Sequence, residues 1–431
     1  MQRTISTSKP IIPSLRMAIK VVCAMILSLC ATSLSAQTSG TFIDNLKTIQ
    51  VKVNGKWGEP PVIHLKGSNF VEISFDDLQH DYVRYTYRIT HCNADWTPSD
   101  LYEGDYMTGM NGSERIDDYE QSMNTEMMYN HYSFRLPNED VSLLISGNYK
   151  VDILEDGDDE PVATACFSIL EPIVSIEASV TPNTDIDTYQ QHQQVEMNIN
   201  YQHLTLSDPM TELIPIVLQN HRWDNRPLEI RPSYMRNNQL IYTHNRALIF
   251  EAGNEFRRFE ILDKYVPTMR IEHMEYREPF YHAEIMQDEQ RRNYKYDQDQ
   301  NGRYLIRNTN NVDNETESDY FFTHFQLKMP ELPGGNLYIN GDFTYGKYDD
   351  EFMMEYDLMN HAYKITLPLK QGSYNYQYLF VPDGEEIGTT IPTEGSFFQT
   401  ENEYYIYVYQ RPFGGRYDKL VGFQQIKYTA K

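Results

Sequence analysis

The stretch VRYTYRI, Val83 to Ile89, decides the fold class because its side chains alternate with a period of two. One face collects the apolar and aromatic residues Val83, Tyr85, Tyr87 and Ile89. The other face carries the polar residues Arg84, Thr86 and Arg88. Successive side chains of a β-strand point to opposite sides, so the pattern predicts a strand with one buried face.

The same alternation recurs along the chain, in NYKVDIL (148–154), QVEMNINY (194–201), YKITLPL (363–369) and SYNYQYLF (373–380). No long helical period competes with it, and Gly, Pro, Asn and Asp clusters separate the segments. The 34 tyrosines and 19 phenylalanines suit half-buried pleated surfaces. We therefore predict an all-β fold of tandem immunoglobulin-like or early-set antiparallel β-sandwich domains.

Residues 1–36 have the composition of a secretory signal peptide. They contain four cations and no acid, then an apolar run from Val21 to Leu29 that leads to SLSAQ. That run is much shorter than the ~20 residues of a membrane-spanning helix, so we expect a soluble chain without direct membrane insertion, cleaved after Ala36. Leu29 disfavours lipid attachment at Cys30, since that position normally holds a small residue.

The chain is strongly acidic, with a formal net charge of -25 that becomes -29 once the four signal-peptide cations are removed. Nucleic acid and anionic lipid surfaces repel such a chain, so neither is expected as a partner. A basic protein partner and simple solubility both remain compatible with this charge.

Two breaks divide the sequence into three predicted domains. Glu171-Pro172 separates two strand-like runs, and Pro330, Pro333 and Gly334-Gly335 precede another. The predicted domains are therefore residues 37–171, 172–329 and 330–431.

The stretch HCNADW follows the first strand, and its residues His91, Cys92, Asn93, Asp95 and Trp96 are the candidate site. Neighbours on a strand point to opposite faces, so adjacency argues against a Cys-His catalytic pair. We predict a structural motif, in which the strand ends in Asx-type turns with Trp96 packed beneath. Cys92 and Cys166 either form one disulfide or are two small buried residues.

No sequence motif predicts a catalytic, cofactor-binding or metal site, or a small-molecule substrate. The segment DQDQNG, 297–302, resembles the start of a calcium loop, but its closing position falls on Asn308 rather than on a glutamate. Two strands joined by an Asn-Gly turn explain it more simply. The acidic run EDGDDEP, 155–161, is expected to be a solvated hairpin tip.

Residues 337–384 resemble an early-set, glycogen-binding-module-like sandwich, which stacks sugar rings on exposed tryptophans. This stretch contains no tryptophan, although Tyr345 and Tyr348 offer aromatic rings. A glycan-binding protein therefore remains an alternative function.

Five ordered motifs resemble the type IX secretion system plug protein family: SFDDL (74–78), YTYRITHCNADWTPSDL (85–101), DYEQSMNT (118–125), SGNYKVDILEDGD (146–158) and FEAGNEFRRFE (250–260). The resemblance implies a non-enzymatic periplasmic protein without cofactors. It would bind the periplasmic opening of the outer-membrane translocon barrel, at the inner face of that membrane, and seal it between rounds of export. An accessory role in secretion without plugging is the further alternative.

Overall fold

The regular secondary structure of the described part of the chain consists almost entirely of β-strands. A computed structural model describes residues 39–79, 81–109, 114–309 and 312–430. The predicted signal peptide, 1–36, lies outside these residues. Within the described ranges, no helix is long and apolar enough to cross a membrane. The predicted all-β sandwich class is confirmed.

The first core region contains helix α1 (Glu103–Tyr106) and strands β1 (Gly40–Thr41), β2 (Leu46–Val53), β3 (Val62–His64), β4 (Val71–Asp77), β5 (Tyr85–Cys92), β6 (Met107–Thr108), β7 (Glu114–Arg115), β8 (Tyr119–Gln121), β9 (Asn130–Leu136), β10 (Ser142–Leu143), β11 (Gly147–Glu155) and β12 (Ala163–Leu170). One sheet has the order β1-β12-β11-β5-β7, with β3 parallel to β12, and the other has the order β2-β4-β9-β8. The two sheets share one core, which includes Ile73, Phe75, Ile89, Val151 and Phe167.

Strand β5 follows the alternation found in the sequence with two differences: Val83 lies before the strand, and Thr86, on the predicted polar face, is buried. Tyr85, Tyr87 and Ile89 are buried, as predicted. Val83 precedes the strand because its backbone bonds to a side chain instead of a neighbouring strand. The Tyr132 hydroxyl accepts from the Val83 N–H at 3.2 Å and donates to the Val83 carbonyl oxygen at 2.8 Å.

The second core region contains helix α2 (Pro209–Glu212), the 3-10 turn Arg246–Leu248 and strands β13 (Ser175–Thr181), β14 (His192–Asn200), β15 (Leu213–Gln219), β16 (Tyr234–Arg236), β17 (Gln239–Tyr242) and β18 (Ile249–Glu251). Its first sheet has the order β13-β14-β17-β16, and β18 pairs with β14. Strand β15 lies outside this sheet.

The third core region contains the 3-10 turn Asp342–Thr344 and strands β19 (Arg257–Ile261), β20 (Ile271–Arg277), β21 (Phe280–Ile285), β22 (Asp288–Glu289), β23 (Tyr304–Ile306), β24 (Tyr320–Lys328), β25 (Gly335–Asn340), β26 (Glu355–Asp357), β27 (Ala362–Lys370) and β28 (Gly372–Pro382). One sheet has the order β19-β28-β23, with β25 beside β28. The other has the order β20-β21-β24-β27-β26, and both β21 and β22 run parallel to β24.

Strands β29 (Glu403–Gln410) and β30 (Lys419–Lys427) pair in the order β15-β29-β30. They therefore join the second core region, where Val217, Val408 and Val421 are buried together. In the third core region, Ile306 and Tyr378 share a core although they lie on either side of residue 330. The division into domains at 171/172 and 329/330 stays a prediction.

A buried ion pair connects the first and third core regions. The Lys370 ammonium lies 2.7 Å from a carboxylate oxygen of Asp76, and both side chains are almost completely buried. The same carboxylate accepts from His131 Nδ1 at 2.6 Å and from the Tyr320 hydroxyl at 2.6 Å. Burial alone would raise the pKa of Asp76, but Lys370 and His131 outweigh it and lower that pKa.

Lys370 has two further contacts in this cluster. Its ammonium donates to the backbone carbonyl oxygen of Glu315 at 2.5 Å. It also lies 4.2 Å from the centroid of the Tyr129 ring, a cation–π distance. Loss of the lysine would therefore leave several buried partners of the ammonium unsatisfied.

We predict that Lys370→Met lowers the free energy of unfolding by about 3–5 kcal/mol, because it leaves the Asp76 carboxylate buried without its ammonium partner. Lys364→Met is the matched control on the same strand. Lys364 is 42% exposed and pairs with Asp357 at 2.7 Å, so its loss should cost less than about 1 kcal/mol. Urea unfolding measures both; equal losses would refute the importance of the buried pair.

Candidate functional site

The HCNADW motif forms a tight turn at the end of β5. The Asn93 N–H donates to the Thr97 carbonyl oxygen at 2.8 Å, and the Trp96 N–H donates to the Asn93 carbonyl oxygen at 3.0 Å. The Asp95 carboxylate accepts from the Thr97 N–H at 3.0 Å, which makes an Asx-type turn. Trp96 has a φ of 66°, in the left-handed region. These internal hydrogen bonds hold a backbone conformation that a bulky residue rarely adopts.

The Trp96 ring fills a small apolar cluster between the first and second core regions. It is 4% exposed and packs with Cys92 and Cys166. The Trp223 ring meets it edge to face, with ring centroids 6.0 Å apart and planes at 88°. The indole N–H has no hydrogen-bond acceptor among the described residues. The ring therefore stabilises the contact between the first and second core regions through packing.

Hydrogen bonds tie the same turn to the segments around β29 and β30. The Ala94 N–H donates to Asp418 at 2.9 Å. The Asn93 carbonyl oxygen accepts from Asn148 at 2.9 Å, and the Tyr409 hydroxyl donates to Asn148 at 2.8 Å. We propose that the motif is architectural and fixes the first core region against these strands. Sequence reasoning missed these partners because Asp418 lies 324 positions from Ala94.

Cys92 and Cys166 are both free and buried. They lie on β5 and β12, which flank β11 on opposite sides. Two strand spacings separate them by about 10 Å, beyond the ~7 Å limit on the Cα separation of a disulfide. Burial raises the pKa of Cys92 to about 12, and it also raises the pKa of Cys166. Of the two alternatives, the structure has two small buried thiols.

His91 points to the other face of β5, where it packs against Tyr149. Its Nδ1 lies 2.9 Å from the Ser99 hydroxyl, and its Nε2 lies 3.2 Å from the Ser146 carbonyl oxygen. The carbonyl can only accept, so we assign the proton to Nε2 and make Ser99 the donor to Nδ1. Burial lowers the pKa of His91 to about 4. Such a histidine is a weak general base at neutral pH.

We predict that Trp96→Ala lowers the free energy of unfolding by about 3–5 kcal/mol, because it leaves a cavity between two core regions. Trp57→Ala is the control: Trp57 is 36% exposed, so its removal should cost clearly less. Thermal melts of the two variants give the comparison. A stable Trp96 variant that failed to bind its partner would instead assign the motif to an interface.

We also predict a pH dependence of stability from His91. The unfolded state takes up a proton near pH 6.5, whereas the folded state does so only near pH 4. The free energy of unfolding should therefore fall by up to about 3 kcal/mol as pH is lowered through this window. His91→Gln should remove this component, whereas the exposed His203→Gln should retain it. Urea midpoints at several pH values test this; identical pH profiles for all three proteins would contradict it.

The two aspartates of the calcium-like segment use their carboxylate oxygens for internal contacts. The Asp297 carboxylate pairs with Arg258 at 2.5 Å. The Asp299 carboxylate accepts from the backbone N–H groups of Phe256 and of Asn301. Burial raises the pKa of Asp299 to about 7. Among the described residues, no group of three His, Cys, Asp or Glu side chains is placed to hold a metal ion.

The predicted strand before the Asn301-Gly302 turn is wrong, although the turn itself is present. In this segment, side-chain oxygens accept the backbone N–H groups that a neighbouring strand would otherwise pair with. Asn254 accepts from the Lys295 N–H at 3.2 Å, and Asn375 accepts from the Gln300 N–H at 2.5 Å. The acidic run at 155–161, by contrast, does lie at the turn between the antiparallel strands β11 and β12, as predicted.

The two tyrosines considered for sugar stacking contact other core regions. The Tyr345 hydroxyl accepts from the Ile49 N–H at 3.2 Å. The Tyr348 hydroxyl donates to Asp224 at 2.8 Å. Both rings therefore contribute to internal joints of the chain.

Comparison with known proteins identifies the family. Residues 46–171 match the sequence profile of the "Type 9 secretion system plug protein 1st domain". The chain belongs to the type 9 secretion system plug protein family. The matched range begins at the first residue of β2 and ends one residue after β12, so it corresponds to the first core region.

A solved structure extends the similarity beyond that domain of the plug protein family. The chain resembles the crystal structure of a hypothetical protein from Parabacteroides merdae ATCC 43184, at 44% sequence identity and a TM-score of 0.89. The alignment covers 91% of this chain and 100% of that chain. No curated protein matches the chain. Family membership places this chain among type IX secretion components and implies an envelope location.

Proposed function

We propose that this chain is a non-enzymatic plug that binds the periplasmic opening of the type IX translocon barrel and seals it when no substrate is passing. The observation that carries the proposal is the family match over residues 46–171, which contain strands β2 to β12 of the first core region. The seal would form at the inner face of the outer membrane, where a soluble exported protein can reach the barrel.

The connections between core regions support a role as a rigid cover. All described residues belong to one compact unit, Gln37–Lys431. The Asp76–Lys370 pair and the Ala94–Asp418 hydrogen bond both join the first core region to distant segments. We infer that these connections leave no independently moving parts, and such a body can block a wide aqueous opening with little loss of conformational entropy on binding.

The family-matched region also offers candidate anchor residues. Tyr82 and Tyr119 are 47% and 38% exposed, and their ring centroids lie 4.8 Å apart. Tyr119 belongs to β8, an edge strand of its sheet. Exposed tyrosines often carry much of the binding energy at protein interfaces. We infer that this tyrosine pair contacts the barrel.

The geometry gives less support to glycan binding, because the hydroxyls of Tyr345 and Tyr348 have internal partners. An accessory role without plugging predicts a different phenotype. Loss of an accessory factor impairs export, whereas loss of a plug leaves an open path across the outer membrane.

We predict that the chain copurifies with the tagged barrel and that its deletion makes the outer membrane permeable to normally excluded compounds while export continues. Substituting Tyr82→Ser and Tyr119→Ser together should weaken copurification and reproduce the leak. Tyr234→Ser is the control, because Tyr234 is 52% exposed but lies outside the matched region. Impaired export without leakage would favour the accessory role, and absence of the chain from barrel preparations would reject both.

A further inference from the structure

An open cleft of about 940 Å³ lies at one end of the third core region, where β22 runs beside the end of β24. Its lining is rich in cations. We call it the arginine cleft and define it by Arg257, Arg270, Arg291, Arg292, Lys295 and Lys328. The acidic residues that line it are fewer: Asp288, Glu289 and Glu331.

A buried ion cluster forms the floor of the arginine cleft. The Arg257 guanidinium pairs with Asp288 at 2.7 Å and with Glu394 at 2.8 Å, and all three side chains are at least 95% buried. The hydroxyls of Tyr376 and Tyr378 also donate to Asp288, at 2.7 Å and 2.8 Å. Although burial opposes it, Glu394 and Asp288 raise the pKa of Arg257 well above its usual value. The carboxylates of Asp288 and Glu394 therefore already form ion pairs with Arg257.

Two more guanidinium groups share the same carboxylates. Arg270 lies 2.7 Å from Asp288, and the closest approach of Arg291 to Glu394 is 3.6 Å, beyond hydrogen-bonding distance. The Nε–H groups of Arg270 and of Arg291 have no acceptor among the described residues. Arg257, Arg270 and Arg291 thus share the two carboxylates of Asp288 and Glu394. Burial lowers the pKa of Arg291. The floor is short of negative charge and of acceptors.

The rim adds to this local excess of positive charge. Arg292, Lys295 and Lys328 are exposed, and the exposed acidic residues of the lining are Glu289 and Glu331. The chain as a whole has a net charge of -25. A cationic concavity in an acidic protein concentrates anions at that position.

We propose that the arginine cleft binds a ligand that carries phosphate or carboxylate groups. Guanidinium forks match the geometry of both oxyanions. The volume exceeds what one inorganic ion fills and lies in the range of small-molecule sites. The ligand therefore has more than one anionic group, with one at Arg270 and Arg291 and another at the rim. This site is independent of the plugging role.

Isothermal titration of the intact chain at low ionic strength tests the site with two probes, pyrophosphate and a hexaglutamate peptide. We expect saturable binding of at least one probe, and which of them binds assigns phosphate or carboxylate chemistry. Arg270→Gln should weaken that binding about tenfold or more, since it removes a charge-assisted contact.

Two further variants control for folding and for overall charge. Arg292→Gln with Lys328→Gln alters only exposed rim residues, so it should keep the fold and still weaken binding severalfold. Arg231→Gln removes one positive charge, as Arg270→Gln does, at a residue that is 83% exposed in its side chain and lies outside the cleft, and it should leave binding unchanged. The absence of saturable binding of both probes would overturn the proposal. Equal binding by the rim variant and the unaltered chain would do so as well.

Discussion

The buried Asp76–Lys370 ion pair is the constraint on which the arrangement of the described chain depends. Taking two charges out of water costs several kcal/mol per ion. The pair is favourable only because His131, Tyr320 and the Glu315 carbonyl oxygen satisfy its remaining hydrogen-bonding capacity. These groups come from both the first and the third core regions, so the pair can form only when the two regions are in their final positions. It thereby couples the folding of segments that lie far apart in sequence.

The HCNADW turn provides a second joint of a different physical kind. Trp96 packs against Trp223, and Asp418 accepts from the Ala94 N–H, so apolar packing and a hydrogen bond act at the same place. Together the two joints hold the family-matched region against the rest of the chain. The proposed plugging role needs this property, because an opening stays sealed only if its cover does not flex away from the rim. The arginine cleft, in contrast, concerns ligand binding rather than rigidity.

Local patterns predicted the strands well. The alternation in 83–89, 148–154, 363–369 and 373–380 corresponds to β5, β11, β27 and β28, because alternation of residue types is a property of neighbouring residues, although β11 and β28 are buried on both faces. The turn at Asp95 was also predictable from its residue types. The family followed from ordered motifs rather than from composition.

Such local patterns could not predict contacts between residues that lie far apart in the sequence. Nothing local indicates that β15 pairs with β29, or that Lys370 neutralises Asp76. The segment before Asn301 alternates without being a strand, because Asn254 and Asn375 satisfy its backbone. The arginine cleft was missed for the same reason, since Arg257, Asp288 and Glu394 are widely separated in sequence and meet only in the folded chain.

Differential scanning calorimetry of the chain from Gln37 onward shows whether the core regions form one rigid body. One rigid body should give a single transition whose calorimetric enthalpy equals its van't Hoff enthalpy. Two separated transitions, with the first core region melting independently of the others, would contradict it.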